Sequence, residues 1–300
     1  MSDRNQGYLL IILSAVFYST LGILGKYIYN TGIEMSLVIV LRLFATVILL
    51  GLFLLITRKE PLLTFSRVVL FQGIFFIATA ITFFLAVKYL SAGLATVILF
   101  AHPALVAVLA VIFYHEEIGA AQIVGLILAL LGLFFISGLY IESSTALSPL
   151  GLILSVLSAV AYGIYALLGQ RVVKTDGIWT ITFTISLMGL VISALIFPHN
   201  LPALLSITPY QLFLGFAMAF LGTILPVVLF LKGVQKIGSS VGTLISIIEI
   251  PFALILAYLL LGEVLTPMQV VGTLLILIAT TMAVAVKNQK ENNERNYYSK

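Results

Sequence analysis

Ten stretches of predominantly apolar residues set the first constraint on how this chain folds. They cover residues 8–28, 35–56, 67–88, 93–113, 120–138, 150–170, 178–197, 210–232, 239–260 and 268–286. A helix of about 20 residues is long enough to cross the hydrocarbon core of a bilayer. The loops between the stretches are short, and no soluble domain fits between two of them. The pattern predicts an all-α integral membrane protein with ten transmembrane helices.

The amino-acid composition supports this interpretation. The chain is 62% hydrophobic and only 9% charged, whereas soluble domains carry about 25% charged residues. It contains no cysteine, which excludes disulfide and thiolate chemistry. The first residues, MSDRNQG, are polar, and no small-residue cleavage site follows the first apolar stretch. We therefore expect this stretch to be a retained span and not a cleaved signal peptide.

The basic residues are unevenly distributed between the two sides of the predicted membrane. If the N-terminus is cytoplasmic, the inner side holds twelve of the 15 Lys and Arg residues: Arg4, Arg58, Lys59, Arg67, Arg171, Lys174, Lys232, Lys236, Lys287, Lys290, Arg295 and Lys300. The outer side receives Lys26 and Lys88, and Arg42 lies within a span. Loops rich in Lys and Arg tend to stay in the cytoplasm. We therefore expect a multi-pass protein of the cell (inner) membrane with both termini cytoplasmic.

Two parts of the chain are similar to each other. When the numbering is shifted by 147, residues 88–128 align with residues 235–275. Nine aligned pairs are identical: Thr96/Thr243, Ile98/Ile245, Leu109/Leu256, Ala110/Ala257, Glu116/Glu263, Gln122/Gln269, Val124/Val271, Gly125/Gly272 and Leu128/Leu275. His102 aligns with Glu249, which gives each copy an ionisable residue at the same depth. Duplicated membrane units with ionisable groups near the midplane are typical of secondary transporters.

The similarity continues into the first span of each half. With a shift of 144, the identical pairs include Gly7/Gly151, Ser14/Ser158, Ala15/Ala159, Val16/Val160, Tyr18/Tyr162 and Gly25/Gly169. Each half then has five spans, and because five is an odd number, the halves enter the membrane in opposite directions. We predict two inverted five-helix repeats, residues 1–142 and 143–286. A polar cytoplasmic tail, residues 287–300, follows them, and its composition predicts disorder.

The repeated residues resemble the paired EamA-type domains of the drug/metabolite transporter superfamily. The resemblance rests on Pro103…Glu116…Gln122-x-x-Gly125, on the second copy Glu249…Pro251…Gly262-Glu263…Gln269-x-x-Gly272, and on Arg42 early in the second span. It covers nearly the whole chain. It implies ten helices around a central cavity, alternating access, and export of a small metabolite such as an amino acid. Members often have Glu-Pro in the ninth span, whereas Glu249-Ile250-Pro251 here predicts a proline kink one residue later.

Glu249 is the only acidic residue deep in a predicted span. A charged side chain at the centre of a bilayer costs about 2.5–3.5 kcal/mol on insertion scales. We therefore expect Glu249 to face protein or a wet cavity. Two interpretations stay open for it. It is either a binding site for protons or substrate, or a protonated side chain that hydrogen-bonds a neighbouring helix near Pro251.

His102 and Arg42 are two further candidates within the spans. His102 either relays a proton or binds substrate, or it is a neutral ring that is satisfied by a backbone carbonyl freed by Pro103. Arg42 lies about two helical turns from the outer face, where its planar guanidinium suits a carboxylate or a phosphate. Its side chain also has the length to reach the outer headgroups or to pair with Glu34. The sequence leaves these alternatives open.

Polar side chains recur at helical spacing along several spans. Tyr18 and Tyr162 occupy equivalent positions near the midplane, and we predict that both line a cavity. The other candidates for cavity lining are Ser14, Thr79, Ser158, Tyr165 and Ser246. Because lipid does not satisfy polar groups, such side chains face a wet cavity or a seam between helices. Hydrogen bonding between helices is the alternative for the Ser and Thr residues.

The motifs that the chain lacks narrow its chemistry. No nucleotide-binding G-x4-G-K-[ST] motif occurs, so we expect no cofactor and no direct use of ATP. Coupling would then come from protons through Glu249 or from the gradient of the substrate. With three histidines and no cysteine, we expect no metal site. The expected partners are a small-molecule substrate, the lipid bilayer and protons, without nucleic acid.

Three other functions remain as alternatives. Uptake of a sugar or nucleoside is consistent with the same fold, because the direction of a secondary transporter follows its gradients. Drug efflux is the second alternative. An intramembrane enzyme is the third and most remote, since the chain has no G-x-S-x-G motif and no aspartate within a span. The sequence does not indicate an oligomeric state.

Overall fold

The computed structural model describes residues 3–116, 118–139, 148–172 and 177–298, without the side chains of Ala92, Leu201 and residues 285–298. All regular secondary structure in this part of the chain is helical. Ten helical segments are long and apolar enough to cross a membrane. The prediction of an all-α membrane protein with ten spans is therefore confirmed. The predicted boundary between the repeats, at residues 142 and 143, lies outside the described residues.

Fourteen α-helices build the ten spans and one short connection in the described chain. They are α1 (Asp3–Tyr29), α2 (Met35–Thr57), α3 (Arg67–Val87), α4 (Ala92–Leu99), α5 (His102–Tyr114), α6 (Ala120–Ser137), α7 (Pro149–Val172), α8 (Ile178–Ile196), α9 (Asn200–Ala203), α10 (Pro209–Ala219), α11 (Leu225–Ile237), α12 (Ser239–Ser246), α13 (Glu249–Leu261) and α14 (Pro267–Tyr298). Seven spans are continuous helices. The fourth span consists of α4 and α5, and the ninth consists of α12 and α13. The eighth consists of α10, a π-helical segment and α11.

The last helix extends beyond the apolar stretch. Helix α14 continues to Tyr298, so the prediction of disorder in the polar tail was wrong for the described part. The chain contains no glycine or proline after Gly272, and the tail supplies Lys, Gln, Glu and Arg, which are good helix formers. No residue between the apolar span and Tyr298 therefore ends the helix.

Two pairs of helices pack against each other in equivalent ways. Helix α1 packs against α11, and α7 packs against α3. A Cβ atom at Gly7 would lie 2.6 Å from Ile237, and one at Gly151 would lie 2.6 Å from Leu90. The shift of 144 relates Gly7 to Gly151, and the shift of 147 relates Leu90 to Ile237. The two packing contacts therefore correspond to each other under the sequence repeat.

The last helices of the two halves, α6 and α14, pack closely against each other. Gly125 approaches the backbone of Ala279, and Gly132 approaches the backbone of Gly272. As the chain advances along α6, its partner on α14 moves backwards, so the two helices run antiparallel. Only glycine permits approach this close, because an added Cβ at Gly132 would lie 2.7 Å from the carbonyl oxygen of Gly272. The inverted orientation of the complete halves remains a prediction.

Candidate functional site

The fourth and ninth spans are interrupted at positions that align under the sequence repeat. Helix α4 ends at Leu99 and α5 begins at His102, whereas α12 ends at Ser246 and α13 begins at Glu249. The shift of 147 relates both ends. His102 and Glu249 are therefore each the first residue of a second half-helix. Interrupted helices at corresponding positions of two repeats mark the binding sites of many transporters.

The interruption in the ninth span does not fall one residue later, as its proline predicted. A proline lacks the N–H group that would bond the carbonyl four residues earlier. Pro251 thus frees the carbonyl of Ile247, but the backbone N–H of Ile250 donates to this oxygen at 3.0 Å. This tightened turn ends α12 at the position that aligns with the end of α4, although the proline is displaced by one residue.

His102 satisfies a backbone group that its neighbouring proline leaves unpaired. Pro103 frees the carbonyl of Leu99, and His102 Nδ1 lies 3.0 Å from this oxygen. Since a carbonyl only accepts, Nδ1 carries the proton, and in the neutral ring Nε2 is an acceptor. Nε2 is buried without a hydrogen-bond partner in the described part of the chain. The ring packs against Tyr162, with 4.1 Å between the ring centroids.

Unlike His102, the carboxyl group of Glu249 does not satisfy a backbone group. Its side chain is partly exposed inside the bundle. It forms no hydrogen bond and no ion pair with the residues that the structure describes. Tyr18 and Tyr162 both lie within electrostatic range of the carboxyl. The carboxyl of Glu249 therefore lies near two tyrosines without a hydrogen-bond or ion-pair partner in the described part of the chain.

Arg42 on α2 also lies near Tyr18. Its guanidinium interacts electrostatically with Tyr18, and its Nε atom is buried without a hydrogen-bond partner among the described residues. The predicted alternative of a pair with Glu34 is not formed, because Glu34 Oε2 lies 3.5 Å from His199 Nε2 instead. Within the described chain, no ion pair joins Arg42 to Glu249. Arg42 and Glu249 therefore both interact with Tyr18, and neither has an ion-pair partner in the described part of the chain.

Three tyrosines form the aromatic part of the site. Tyr18 and Tyr162 are partly exposed in the interior, whereas Tyr165 is buried. Tyr165 lies next to Tyr18, and its ring centroid is 5.8 Å from that of Tyr162. The structure therefore brings together Tyr18, Arg42, His102, Tyr162, Tyr165 and Glu249.

The hydroxyl groups of the four predicted Ser and Thr residues bond to backbone carbonyls. Ser14 donates to the carbonyl of Pro226 at 2.7 Å, and Ser158 donates to the carbonyl of Thr79 at 3.0 Å. These two contacts correspond under the shifts of 144 and 147. Thr79 donates to Phe75 at 2.8 Å, and Ser246 donates to Thr243 at 2.7 Å, both within their own helices. The hydroxyls of Ser14 and Ser158 therefore join neighbouring helices, and those of Thr79 and Ser246 bond within their own helices.

Two further polar residues lie in the spans around the site: Gln72, which the helical spacing places on one face with Thr79, and Thr223, which was not singled out from the sequence. Gln72 is buried and donates through Nε2 to the carbonyl of Tyr165 at 3.3 Å. Thr223 is buried in the π-helical segment Phe220–Ile224, and its hydroxyl has no partner among the described residues. π-Helical turns are frequent at functional sites. A proline within an apolar span, Pro226, was the sequence signal for this irregularity.

Polar contacts at the ends of α1 and α7 correspond to each other under the sequence repeat. At the end of α1, Lys26 Nζ lies 2.6 Å from Glu263 Oε1, with both side chains about half exposed. At the end of α7, Gln170 Nε2 donates to Glu116 Oε1 at 3.1 Å, and Gln170 Oε1 accepts from the backbone N–H of Ser239 at 2.8 Å. Lys26 aligns with Gln170, and Glu263 aligns with Glu116. One contact is an ion pair and the other is a network around a neutral amide.

Comparisons with known proteins agree with this architecture. The profile of the EamA-like transporter family matches the chain twice, over residues 5–138 and 149–285. An uncharacterized transporter of Archaeoglobus fulgidus is 26% identical over 91% of this chain and 94% of its own length. The uncharacterized inner membrane transporter YicL of Salmonella typhimurium is 24% identical over 92% and 94%. A crystal structure with 15% sequence identity has a TM-score of 0.80 and covers 94% of this chain and 99% of that chain, which shows a shared fold.

Proposed function

Because the chain belongs to the EamA-like transporter family, we propose that this multi-pass membrane transporter exports a small zwitterionic metabolite, such as an amino acid, in exchange for protons. The matches of both halves to a transporter family favour transport over an enzymatic function. The substrate, its direction and its coupling are the proposed parts. They rest on the arrangement of Arg42, Tyr18 and Glu249.

The observation that carries the proposal is that Arg42 and Glu249 are both unpaired in the described chain. A charge in the interior of a membrane protein is costly unless a partner compensates it. A zwitterion supplies both partners at once, because its carboxylate matches the fork of Arg42 and its ammonium group matches Glu249. Tyr18 lies within electrostatic range of both residues and contributes an apolar ring with a polar hydroxyl. A neutral sugar would leave both charges uncompensated.

Proton coupling follows from competition at a single carboxyl group. When Glu249 is ionised, it attracts the ammonium group of the substrate. When it is protonated, this attraction is lost, and substrate and proton therefore exclude each other. A site that carries either one across the membrane exchanges them, and inward flow of protons then drives export of the substrate. The scheme needs one proton site, and Glu249 supplies it.

Uptake into everted membrane vesicles tests the proposal. A pool of radiolabelled amino acids is added with and without an imposed pH gradient that is acidic inside the vesicles. We expect accumulation that depends on the protein and collapses when the gradient is dissipated. Glu249→Gln, which keeps the size of the side chain, should abolish this accumulation. Arg42→Lys, which keeps the charge but loses the planar fork, should weaken the apparent affinity about tenfold.

The matched control replaces a carboxylate outside the site. Asp3 is 90% exposed and its Oδ1 lies 2.6 Å from Lys236 Nζ, and we expect Asp3→Asn to transport like the wild type. If no amino acid accumulates, the zwitterion proposal is wrong, and neutral sugars, nucleosides and drugs become the next candidates. If Glu249→Gln retains transport that responds to the gradient, the proton does not travel on Glu249.

A further inference from the structure

Tyr18 on α1 and Tyr162 on α7 each lie on a helix face that continues towards the C-terminal end of that helix. On α1, Gly22 and Gly25 follow Tyr18 at the i+4 and i+7 positions, which share one helix face. On α7, Ala166 and Gly169 follow Tyr162 at the same spacing. We call the face from Tyr18 to Tyr29 the α1 mouth and the face from Tyr162 to Val172 the α7 mouth. Since the first and sixth of ten spans run in opposite directions, the two mouths lie on opposite sides of the membrane.

The α1 mouth is open. A Cβ atom added to Gly22 or Gly25 would meet no atom of the described chain within 4 Å. This face is directed into the bundle, because the opposite face of α1 carries Leu9 and Leu13, which are 46% and 38% exposed on the outside of the structure. The space next to the two glycines therefore lies in the interior, between Tyr18 and the end of the helix.

The α7 mouth is closed. Ala166 is fully buried. A Cβ atom added to Gly169 would lie 2.8 Å from Cδ2 of Leu231 and 3.2 Å from Nε2 of Gln72. Leu231 on α11 thus packs directly onto the backbone of α7 where α7 has no side chain. The absence of a side chain at Gly169 is what permits this close approach.

The residue that corresponds to Leu231 stands away from the α1 mouth. The shift of 147 relates Leu231 to Phe84 on α3. This shift is supported at this level of the bundle by the matched hydrogen bonds from Ser14 to Pro226 and from Ser158 to Thr79. Phe84 lines a cavity of about 1070 Å³ together with Tyr29 and Ile39. Ile39 lies one helical turn from Arg42, so this cavity reaches the level above the candidate site.

We propose that Phe84 and Leu231 are two alternating seals, which close on Gly25 and Gly169 respectively. In the structure the Leu231 seal is closed and the Phe84 seal is open, so the candidate site opens towards the side where α1 ends. In the opposite state, Phe84 packs onto Gly25 and Leu231 leaves Gly169. This inference rests on the proposed transport function, to which it adds the residues that close each side.

Gly25 supports the proposal because nothing in the open state requires a glycine at this position. A glycine inside a helix is less stable than an alanine, and Gly25 has no contact that a Cβ atom would disturb. Its backbone is ordinary helix, without a positive φ angle. Its counterpart Gly169 shows the role that glycine has in a closed seal. We therefore expect Gly25 to be needed in the opposite state, in which Phe84 packs onto it.

Paired cysteines in the full-length protein test the seals, because the chain has no cysteine of its own. One variant carries Gly169→Cys and Leu231→Cys, and the other carries Gly25→Cys and Phe84→Cys. Both are reconstituted in liposomes and oxidised with copper phenanthroline. We expect the first pair to cross-link rapidly and the second to cross-link more slowly, as the protein visits the opposite state. If the second pair never forms a disulfide while the first does, the alternation is wrong.

A steric test uses the same glycine. In Gly25→Leu the added side chain fits the open state but prevents Phe84 from closing, and we expect the protein to fold and transport to fall roughly tenfold or more. Gly22→Ala is the matched control, because the equivalent Ala166 already carries a Cβ in a closed mouth. Wild-type transport by Gly25→Leu would overturn the seal.

The cross-linking result does not depend on the cargo. If both disulfides form but no amino acid is transported, the seals stand and the proposed substrate is wrong. If amino acids are transported and the Gly25–Phe84 disulfide does not form, the proposed function stands and the seal is wrong.

Discussion

The interruptions of the fourth and ninth spans have the same position in the repeat but different chemistry. In the fourth span, the side chain of His102 bonds the carbonyl of Leu99 that Pro103 leaves free. In the ninth span, the backbone N–H of Ile250 bonds the freed carbonyl of Ile247. Because a backbone N–H satisfies this carbonyl in the ninth span, the side chain of Glu249 is not needed for the break in the helix.

This difference shows how a duplicated membrane unit can separate stability from function. Both copies keep a half-helix that begins with an ionisable residue. His102 hydrogen-bonds the freed carbonyl of Leu99, whereas Glu249 has no partner in the described part of the chain. The single carboxyl avoids the repulsion that a second one at the same depth would create. We therefore propose that transport chemistry belongs to the ninth span and a supporting role to the fourth.

The replacement of Glu249 should have the largest effect on transport. We expect Glu249→Gln to reduce transport of the cargo by about 30- to 150-fold, because it removes a charged hydrogen bond worth about 2–3 kcal/mol. The thermal stability of the purified protein should not fall, since the carboxyl forms no bond within the described chain. Transport is measured in vesicles and stability by thermal unfolding in detergent. A large loss of stability would mean that Glu249 has the structural role that we assign to His102.

The replacement of His102 should affect stability more than transport. His102→Phe keeps an aromatic ring against Tyr162 but leaves the carbonyl of Leu99 buried without a donor, which costs about 1–3 kcal/mol. We expect a lower midpoint of thermal unfolding and a small change in substrate affinity. His102→Asn provides an amide donor in place of the imidazole and should restore part of the stability. If His102→Phe keeps its stability but loses substrate binding, His102 does not have the structural role that we assign to it.

The smallest effect is expected at the helix ends. Lys26→Gln gives the Lys26–Glu263 contact the same residue types as the Gln170–Glu116 contact. Because exposed ion pairs contribute about 0–1 kcal/mol, the free energy of unfolding should change by less than about 1 kcal/mol. Any difference from the wild type should disappear at high salt. Denaturation at low and high ionic strength measures this change, and an effect that is large and independent of salt would contradict it.

The spans could be predicted from the sequence because each needs about 20 apolar residues. Predicted and observed boundaries differ by only a few residues for most helices. The end of α14 was missed because helix-forming polar residues continue beyond the apolar stretch. The break in the ninth span was placed one residue late, because a backbone bond from Ile250 compensates for Pro251.

The candidate site was predictable in part. Tyr18, Arg42, His102, Tyr162, Tyr165 and Glu249 were recognised as unusual residues in an apolar environment, and the structure brings them together. The partners of Ser14 and Ser158 were not predictable, because helical periodicity gives the face of a residue but not the helix opposite to it. The role of Gly25 was also hidden, since a glycine in a helix carries no pattern that distinguishes open space from close packing.

Proton release on substrate binding tests the central claim most directly. Purified protein in weakly buffered detergent solution, with a pH-sensitive dye, receives the amino acid identified in the vesicle assay. We predict proton release by the wild type and by His102→Asn, and none by Glu249→Gln. Binding without proton release in the wild type, or release that persists in Glu249→Gln, would contradict the claim that cargo and proton compete for Glu249.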